Sequence, residues 1–218
     1  LMFDRGRIDE AMQRFDEFID LYNQANGRLG PQDLVAVARA VEALGRNNPD
    51  LFQDALRALD EAISLDPGWL EPHVRLGNLF LKKYDSPSAQ EEYSVALAAN
   101  PNHPRALLGL AKALEFDGTG DATGVLQQLL EIDPNNVEAH VLLARRYLTR
   151  EGHEEAREHA EMALVVNPGS LLALTALAGS HMIAGDMDAF SEVRNQVLAI
   201  NPRYAEMDAS LAELSVQT

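Results

Sequence analysis

The sequence predicts an all-α protein built as an array of helix pairs, and two observations indicate this fold. First, a proline that follows Asp or Asn recurs at a nearly constant interval, at Asp66-Pro67, Asn100-Pro101, Asp133-Pro134, Asn167-Pro168 and Asn201-Pro202. Successive intervals are 34, 33, 34 and 34 residues, and a period of this length is typical of a repeat array. Second, small and apolar residues recur between these prolines at helical spacing.

The second helix of each unit is predicted from two sets of positions. Twelve residues before each proline stand Ala55, Ala89, Ala122, Ala156 and Phe190, and five residues before it stand Ala62, Ala96, Leu129, Ala163 and Val197. The two sets are seven residues apart, so they lie on one face of a helix. Proline then ends that helix, because it lacks a backbone donor and biases the preceding residue away from helical geometry.

The first helix of each unit is predicted from a step between an apolar and a small residue. The step reads Val37-Ala38, Leu76-Gly77, Leu110-Ala111, Leu143-Ala144 and Leu177-Ala178 in successive units. A small residue at this point lets two helices approach to about 8–10 Å without overpacking. Turn residues separate the two helices of a pair, at Asp85-Ser86-Pro87, residues 117–121, Glu151-Gly152 and Gly185-Asp186.

These features together resemble the tetratricopeptide repeat (TPR) family. The clearest copy covers residues 71–101 and contains Leu76, Gly77, Phe80, Ala89, Tyr93, Ala96 and Pro101. Three units depart from the pattern: the first has a longer turn, the third is one residue short, and the fifth has Phe190 and Val197 in place of small alanines. The resemblance implies a right-handed α-solenoid of antiparallel helix pairs, with about five repeats and an orphan helix at each end.

We expect one array over residues 1–218. Residues 1–24 are predicted to form the second helix of a truncated repeat, residues 203–218 a terminal helix, and the complete repeats to cover 31–67, 70–101, 104–134, 137–168 and 171–202. Because the end helices lack partners, we expect the chain to be cut from a longer protein. The uncapped ends predict a capacity for self-association.

Composition excludes several classes of function. The chain has no cysteine, which excludes disulfides and thiolate metal sites. Its net charge of −16 argues against nucleic-acid binding. No apolar run approaches the roughly 18 residues of a membrane span, so we expect a soluble chain without membrane insertion, in either the cytoplasm or the periplasm.

The sequence predicts no catalytic residue, metal site or cofactor, and therefore no enzyme. The segment 153–159 superficially resembles a zinc-peptidase helix, but its two histidines are six residues apart instead of four and Arg157 stands at the required place. His73 and His140 occupy equivalent positions in two units, so we interpret them as residues of the repeat pattern. Trp69 is predicted to fill the space between units.

Partner-binding residues are predicted from an overlay of the units. The residue after each small residue is Arg39, Asn78, Lys112 or Arg145 in the first four units, so cations recur in an acidic chain. Four residues earlier stand Val35, Val74, Leu108, Val141 and, in the fifth unit, Thr175. Residues four apart share one stripe of a helix. In the family that this sequence resembles, the first helices line a concave groove, so the implied site combines an apolar row with a cationic row.

We therefore expect a scaffold that binds a protein or peptide with apolar anchors and some acidic residues. One alternative for the cations is that Arg39, Lys112 and Arg145 pair with acids on neighbouring helices. Two alternatives for the function are an accessory segment of a larger bacterial enzyme such as a zinc peptidase, and a self-assembly module. Some family members clamp a partner's C-terminal carboxylate, but Val74 stands where that clamp has a lysine, so we do not carry this activity over.

Overall fold

The structure is a computed structural model that describes residues 29–44 and 49–217, together with Glu10, Gln13, Glu17, Asp20 and Gln24. This part of the chain contains no strand, and eleven consecutive helices run through residues 31–217. They are α1 (Pro31–Leu44), α2 (Pro49–Leu65), α3 (Glu71–Lys82), α4 (Ser86–Ala99), α5 (Pro104–Asp117), α6 (Ala122–Ile132), α7 (Val137–Leu148), α8 (His153–Val166), α9 (Leu171–Ile183), α10 (Met187–Ile200) and α11 (Ala205–Gln217). Helices α1 and α2, α3 and α4, α7 and α8, and α9 and α10 form antiparallel pairs, so the predicted all-α array of helix pairs is confirmed.

The helices fall into two compact units, Leu1–Gly118 and Thr119–Thr218. The first unit contains α1 to α5 and the second contains α6 to α11. The boundary lies inside the predicted third repeat, 104–134, where the sequence has a glycine-rich turn. Gly118 and Gly120 both adopt positive φ, at 64° and 65°, a conformation that glycine enters at little cost.

The recurring Asx-Pro pairs form the junction between one helix pair and the next. Asn100, Asp133, Asn167 and Asn201 each follow the last residue of a helix, with φ between −130° and −139°. Such an extended conformation is what the following proline requires of its predecessor. Asn100, Asn167 and Asn201 also accept a hydrogen bond at their Oδ1 from the backbone N–H two residues later. The side chain thus closes the turn that the proline begins.

The turn within a helix pair has a repeated backbone conformation. Tyr84, Gly118, Glu151 and Gly185 have positive φ angles of 61°, 64°, 58° and 75°, and they recur with the period of the repeat. The left-handed region costs a non-glycine residue about 1–2 kcal/mol. Tyr84 and Glu151 therefore carry a local strain that Gly118 and Gly185 avoid.

The core of the first unit contains a tyrosine held between two glycines. Tyr93 on α4 is fully buried. A Cβ atom at Gly77 of α3 would lie 2.5 Å from Cε1 of Tyr93, and one at Gly109 of α5 would lie closer still. Gly77 thus lies at a helix contact, as its place in the repeat predicts, and Gly109 provides the opposite wall.

The core of the second unit accommodates the large residues of the fifth repeat. Val197 is fully buried and Phe190 packs against the same cluster. The facing helix α9 is rich in small buried residues, namely Ala173, Ala176, Ala178, Gly179 and Ser180. Extra volume on α10 is therefore matched by reduced volume on α9, which explains why the departure from alanine is tolerated.

The two chain ends are described in part. Glu10, Gln13, Glu17, Asp20 and Gln24 are helical and exposed, and the remaining residues of the predicted helix over 1–24 lie outside the described residues. At the other end, Met207 and Leu211 of α11 are buried against the second unit's core. Self-association through the ends stays a prediction.

We predict that Gly77→Leu lowers the free energy of unfolding by about 1–3 kcal/mol, because the new side chain collides with the ring of Tyr93. Urea melts followed by circular dichroism measure the change. Gly68→Ala is a suitable control, since its Cβ would meet nothing closer than Asp66 Oδ1 at 3.6 Å. A Gly77→Leu protein as stable as the parent would contradict this packing.

Candidate functional site

The structure places the predicted partner-binding residues on the first helices of successive pairs. In the first unit, Val35 and Arg39 lie on α1, Val74 and Asn78 on α3, and Leu108 and Lys112 on α5. In the second unit, Val141 and Arg145 lie on α7, and Thr175 lies on α9. The residues of each pair are one helical turn apart, as the spacing predicts.

The predicted apolar row is mostly covered by neighbouring helices. Val35, Val74, Val141 and Thr175 are each less than a tenth exposed, whereas Leu108 is half-buried. Val74 packs in the same core cluster as Tyr93, and Val141 packs with Ala163 and Ala173. The covered side chains of this row therefore hold helices together and present little surface to a partner.

Two neighbouring cavities lie along the first helices of the first unit. One, of about 390 Å³, is lined by Gln32, Val35, Ala36 and Arg39 of α1, by Trp69, and by Glu71 and Arg75 of α3. The other, of about 400 Å³, is lined by Arg75, Asn78, Leu81 and Lys82 of α3 and by Lys112 of α5. Arg75 borders both cavities, so they adjoin at this residue, and we call their combined lining the first-helix strip.

The first-helix strip is electropositive within an acidic protein. Its lining residues include four cations, Arg39, Arg75, Lys82 and Lys112, and one carboxylate, Glu71. Glu71 is bound from both sides: Arg75 Nε lies 2.7 Å from Oε1, and Arg105 Nη1 lies 2.6 Å from Oε2. Because one carboxylate faces two guanidinium groups, this cluster keeps a net positive charge.

Asn78 connects the first-helix strip to the core below it. Its Oδ1 accepts a hydrogen bond of 2.9 Å from the hydroxyl of Tyr93. Burial raises the pKa of the Tyr93 hydroxyl above its usual value, with Arg105 acting in the opposite direction, so the tyrosine remains a neutral donor at physiological pH. Since the amide oxygen is engaged, the amide nitrogen of Asn78 is the group left for a partner.

The sequence left open the alternative that Arg39, Lys112 and Arg145 pair with acids on neighbouring helices. This alternative does not hold for Arg39 and Arg145. Among the residues that the structure describes, Arg39 and Arg145 form no ion pair, and both are exposed. Lys112 does take part in an interaction within the protein. The alternative therefore remains open for Lys112.

Sequence reasoning missed Arg75. The overlay selected positions where cations recur in several units, whereas the residues equivalent to Arg75 are Ala36, Gly109, Leu142 and Ala176. A search for residues one turn away from Asn78 on the same face of α3 would have found it, because Arg75 and Asn78 are neighbours at i and i+3.

Trp69 both packs against the α1–α3 core, as predicted, and lines the strip.

Comparisons with known proteins agree with this architecture. Residues 74–137 match the sequence model of the family described as "Tetratricopeptide repeat". Residues 74–137 of this chain are therefore similar to the tetratricopeptide repeat family. A comparison with curated proteins finds no match.

Several solved structures share this fold. TTC0263, a thermophilic TPR protein in Thermus thermophilus, aligns with a TM-score of 0.64 at 18% identity over 86% of this chain and 100% of its own. YrrB, a TPR protein with an unusual peptide-binding site, aligns with a TM-score of 0.62 at 17% identity over 92% of this chain and 98% of its own. The APC/C hetero-tetramer Cut9-Hcn1 aligns with a TM-score of 0.76 at 16% identity over 98% of this chain and 41% of that chain.

TPR proteins are in general protein–protein interaction modules and typically act as non-catalytic scaffolds. Within the described part of this protein, no group of three or more His, Cys, Asp or Glu side chains is arranged to hold a metal ion. Among the described residues, no helix is both long and apolar enough to cross a membrane.

The two repeat-equivalent histidines make equivalent contacts with different partners. His73 Nδ1 lies 2.8 Å from Glu92 Oε2, which links α3 to α4. Two repeats later, His140 Nδ1 lies 3.0 Å from His159 Nδ1, which links α7 to α8. Both contacts join residues 19 positions apart, so the repeat preserves the geometry of the contact while its chemistry changes from a histidine–carboxylate pair to a histidine pair.

The protons of the His140–His159 pair follow from its surroundings. His140 Nε2 lies 3.0 Å from the carbonyl oxygen of Pro134, which can only accept, so Nε2 carries a proton. With this tautomer, Nδ1 of His140 accepts the hydrogen bond from Nδ1 of His159. His159 also stacks on Tyr147 with ring centroids 5.6 Å apart. Burial and the neighbouring His140 lower the pKa of His159, and Glu158 acts in the opposite direction.

We predict that acid destabilises the second unit through His159. Because the pKa of His159 is lowered in the folded state, the unfolded chain binds more protons, and stability is lost as the pH falls below about 6.5. His159→Gln removes the titrating group, so its free energy of unfolding should fall less than that of the parent between pH 7 and pH 5. Urea melts across this range measure the difference, and parallel losses in both proteins would contradict the prediction.

Proposed function

We propose that this protein binds an acidic segment of a partner protein along the first-helix strip. The observation that carries the proposal is the concentration of Arg39, Arg75, Lys82 and Lys112 around two adjoining cavities in a chain of net charge −16. Carboxylates of a partner would face these cations, while the amide nitrogen of Asn78 would donate a further hydrogen bond.

Apolar anchors of the partner have different contacts from those that the sequence suggests. The valines of the apolar row are buried, so the accessible apolar surface of the strip comes from Trp69 and Leu81, with half-buried Leu108 nearby on α5. Trp69 offers an aromatic face at one cavity and Leu81 an aliphatic wall at the other. An extended segment that alternates aliphatic and acidic residues fits this arrangement.

Long-range repulsion does not prevent binding of an acidic segment. The overall charge of the protein opposes an acidic partner at a distance, but the Debye length is only about 8 Å at physiological ionic strength. Within that range the cations of the strip dominate. Added salt screens both the repulsion and the local attraction, so we expect affinity to depend only mildly on ionic strength.

The second unit offers the same chemistry at an equivalent position. Arg145 of α7 is exposed and corresponds to Asn78 and Lys112 in the repeat. We include it in the proposal as a separate contact of the second unit, to be tested by itself. YrrB, of similar fold, is described as having an unusual peptide-binding site, so peptide binding is compatible with this architecture.

The test uses three short fluorescein-labelled peptides of equal length in fluorescence anisotropy. The first alternates leucine with glutamate, the second alternates leucine with lysine, and the third alternates leucine with glutamine. We expect the first peptide to bind most tightly. Arg39→Glu combined with Lys112→Glu should weaken its binding at least ten-fold, about 1.4 kcal/mol, while circular dichroism remains helical.

Arg194→Glu combined with Arg203→Glu provides the matched control. Both residues are exposed cations in the second unit, and neither lies on a first helix. This variant changes the net charge equally and should leave binding unchanged. Equal weakening by both double variants would attribute the binding to overall charge, and unchanged binding by the folded Arg39/Lys112 variant would place the contact on another surface.

A further inference from the structure

The exposed face of α8 carries an amphipathic stripe that the fold does not use. It combines four exposed carboxylates with three exposed aliphatic side chains in the last turn: Glu154, Glu155, Glu158, Glu161, Met162, Val165 and Val166. Met162, Val165 and Val166 are 44%, 79% and 45% exposed. By helical geometry the seven positions occupy less than half of the helix circumference. They lie opposite buried Ala156, Ala160 and Ala163.

The other repeats show that packing does not require this stripe. An aliphatic residue at the position of Val166 recurs in other repeats, as Leu65 and Ile200. The position of Val165, in contrast, is occupied by Ala199 on α10, Ala98 on α4 and Ser64 on α2, and that of Met162 by Gln196, Val95 and Glu61. Val165 therefore joins Met162 and Val166 into one exposed apolar turn, a combination that α2, α4 and α10 lack.

Helix stability explains only two of the four exposed carboxylates of α8. Glu154 and Glu155 lie in the first turn, where they interact favourably with the helix dipole. Glu158 and Glu161 lie in the middle of α8, beyond the reach of that effect. Within the described residues, none of the four carboxylates forms an ion pair.

We propose that the exposed face of α8 docks a basic amphipathic helix of a partner protein. Aliphatic side chains of the partner at i, i+3 and i+4 would cover Met162, Val165 and Val166, and its Lys or Arg side chains would face the four glutamates. Charge selects this occupant over a second copy of the chain, since each copy has a net charge of −16. A single exposed helix face is small compared with the roughly 800 Å² per partner of standard interfaces, so the contact is transient.

This surface is independent of the first-helix strip. It lies on a second helix, belongs to the second unit and selects partners of the opposite charge. Failure of either proposal therefore leaves the other unaffected.

Fluorescence anisotropy at physiological ionic strength tests the proposal with three fluorescein-labelled peptides of equal length, each long enough for several helical turns. The amphipathic probe contains leucine and lysine in a helical pattern, with leucines at i, i+3, i+4 and i+7. The second probe has the same composition in an order that scatters the leucines around the helix, and the third replaces every lysine with glutamate. We expect the first probe to bind with micromolar affinity and the scattered probe to bind more weakly. Any binding of the glutamate probe should depend on Arg39 and Lys112 of the first-helix strip and be unaffected by changes on α8.

Two pairs of substitutions separate the apolar and charged contributions. Met162→Gln with Val165→Ala introduces the residues that α10 carries at these positions, so the protein should remain folded, and binding should weaken at least ten-fold. Glu158→Gln with Glu161→Gln should also weaken binding and reduce its dependence on salt. Glu91→Gln with Val95→Gln makes matched changes at exposed positions of α4 equivalent to Glu158 and Met162, and it should leave binding unchanged.

The proposal is overturned if the scattered probe binds as tightly as the amphipathic one, or if the folded Met162/Val165 variant binds like the parent. Either result would reduce the binding to a general attraction between acidic protein and cationic peptide. Light scattering of the protein alone provides a further test. Association that disappears in the Met162/Val165 variant would assign the stripe to a second copy of the chain and would likewise overturn the proposal.

Discussion

The first helices α3 and α5 are positioned by one buried aromatic ring. Tyr93 on α4 fits between α3 and α5 because Gly77 and Gly109 leave no side chain on either side of it. A tyrosine buries a large apolar area, but its hydroxyl needs a partner when it is removed from water. Asn78 supplies that partner. The same hydrogen bond fixes the amide of Asn78 beside the first-helix strip, so core packing and the geometry of the strip are set together.

Because the chain is a repeat, residues at equivalent positions make equivalent contacts even when their side chains differ chemically. The contact that joins α3 to α4 through His73 and Glu92 returns between α7 and α8 as His140 and His159. A carboxylate partner in the first case and a second imidazole in the other serve the same structural purpose at neutral pH. They differ in chemistry, because a glutamate carboxylate is an anion that only accepts hydrogen bonds, whereas an imidazole can donate or accept one.

Much of the fold follows from the sequence, because its strongest signals are local. The Asx-Pro junctions, the small residues at helix contacts and the turn residues each act within a few positions of one another, and each is found where the period predicts. The boundary between the two units could not be predicted in the same way, because two glycines in one turn do not by themselves indicate that the array divides there. The packing of Phe190 and Val197 likewise depends on small residues of α9, which the sequence shows only after the two helices have been paired.

The candidate site was less predictable from the sequence. Helical spacing shows which side chains share a face of a helix, but it does not show which of them neighbouring helices bury. Val74 and Asn78 are one turn apart, yet Val74 is fully buried and Asn78 borders a cavity. A first helix contacts several neighbouring helices at once, so much of its surface is buried. Residues on one face can therefore lie on either side of the boundary between buried and exposed surface. Arg75 also lies at that boundary, because it borders both cavities while its side chain is only 19% exposed. The recurrence of cations at one repeat position therefore identifies positions where a charged side chain is compatible with helix packing. Which of these side chains can contact a partner depends on the arrangement of the neighbouring helices.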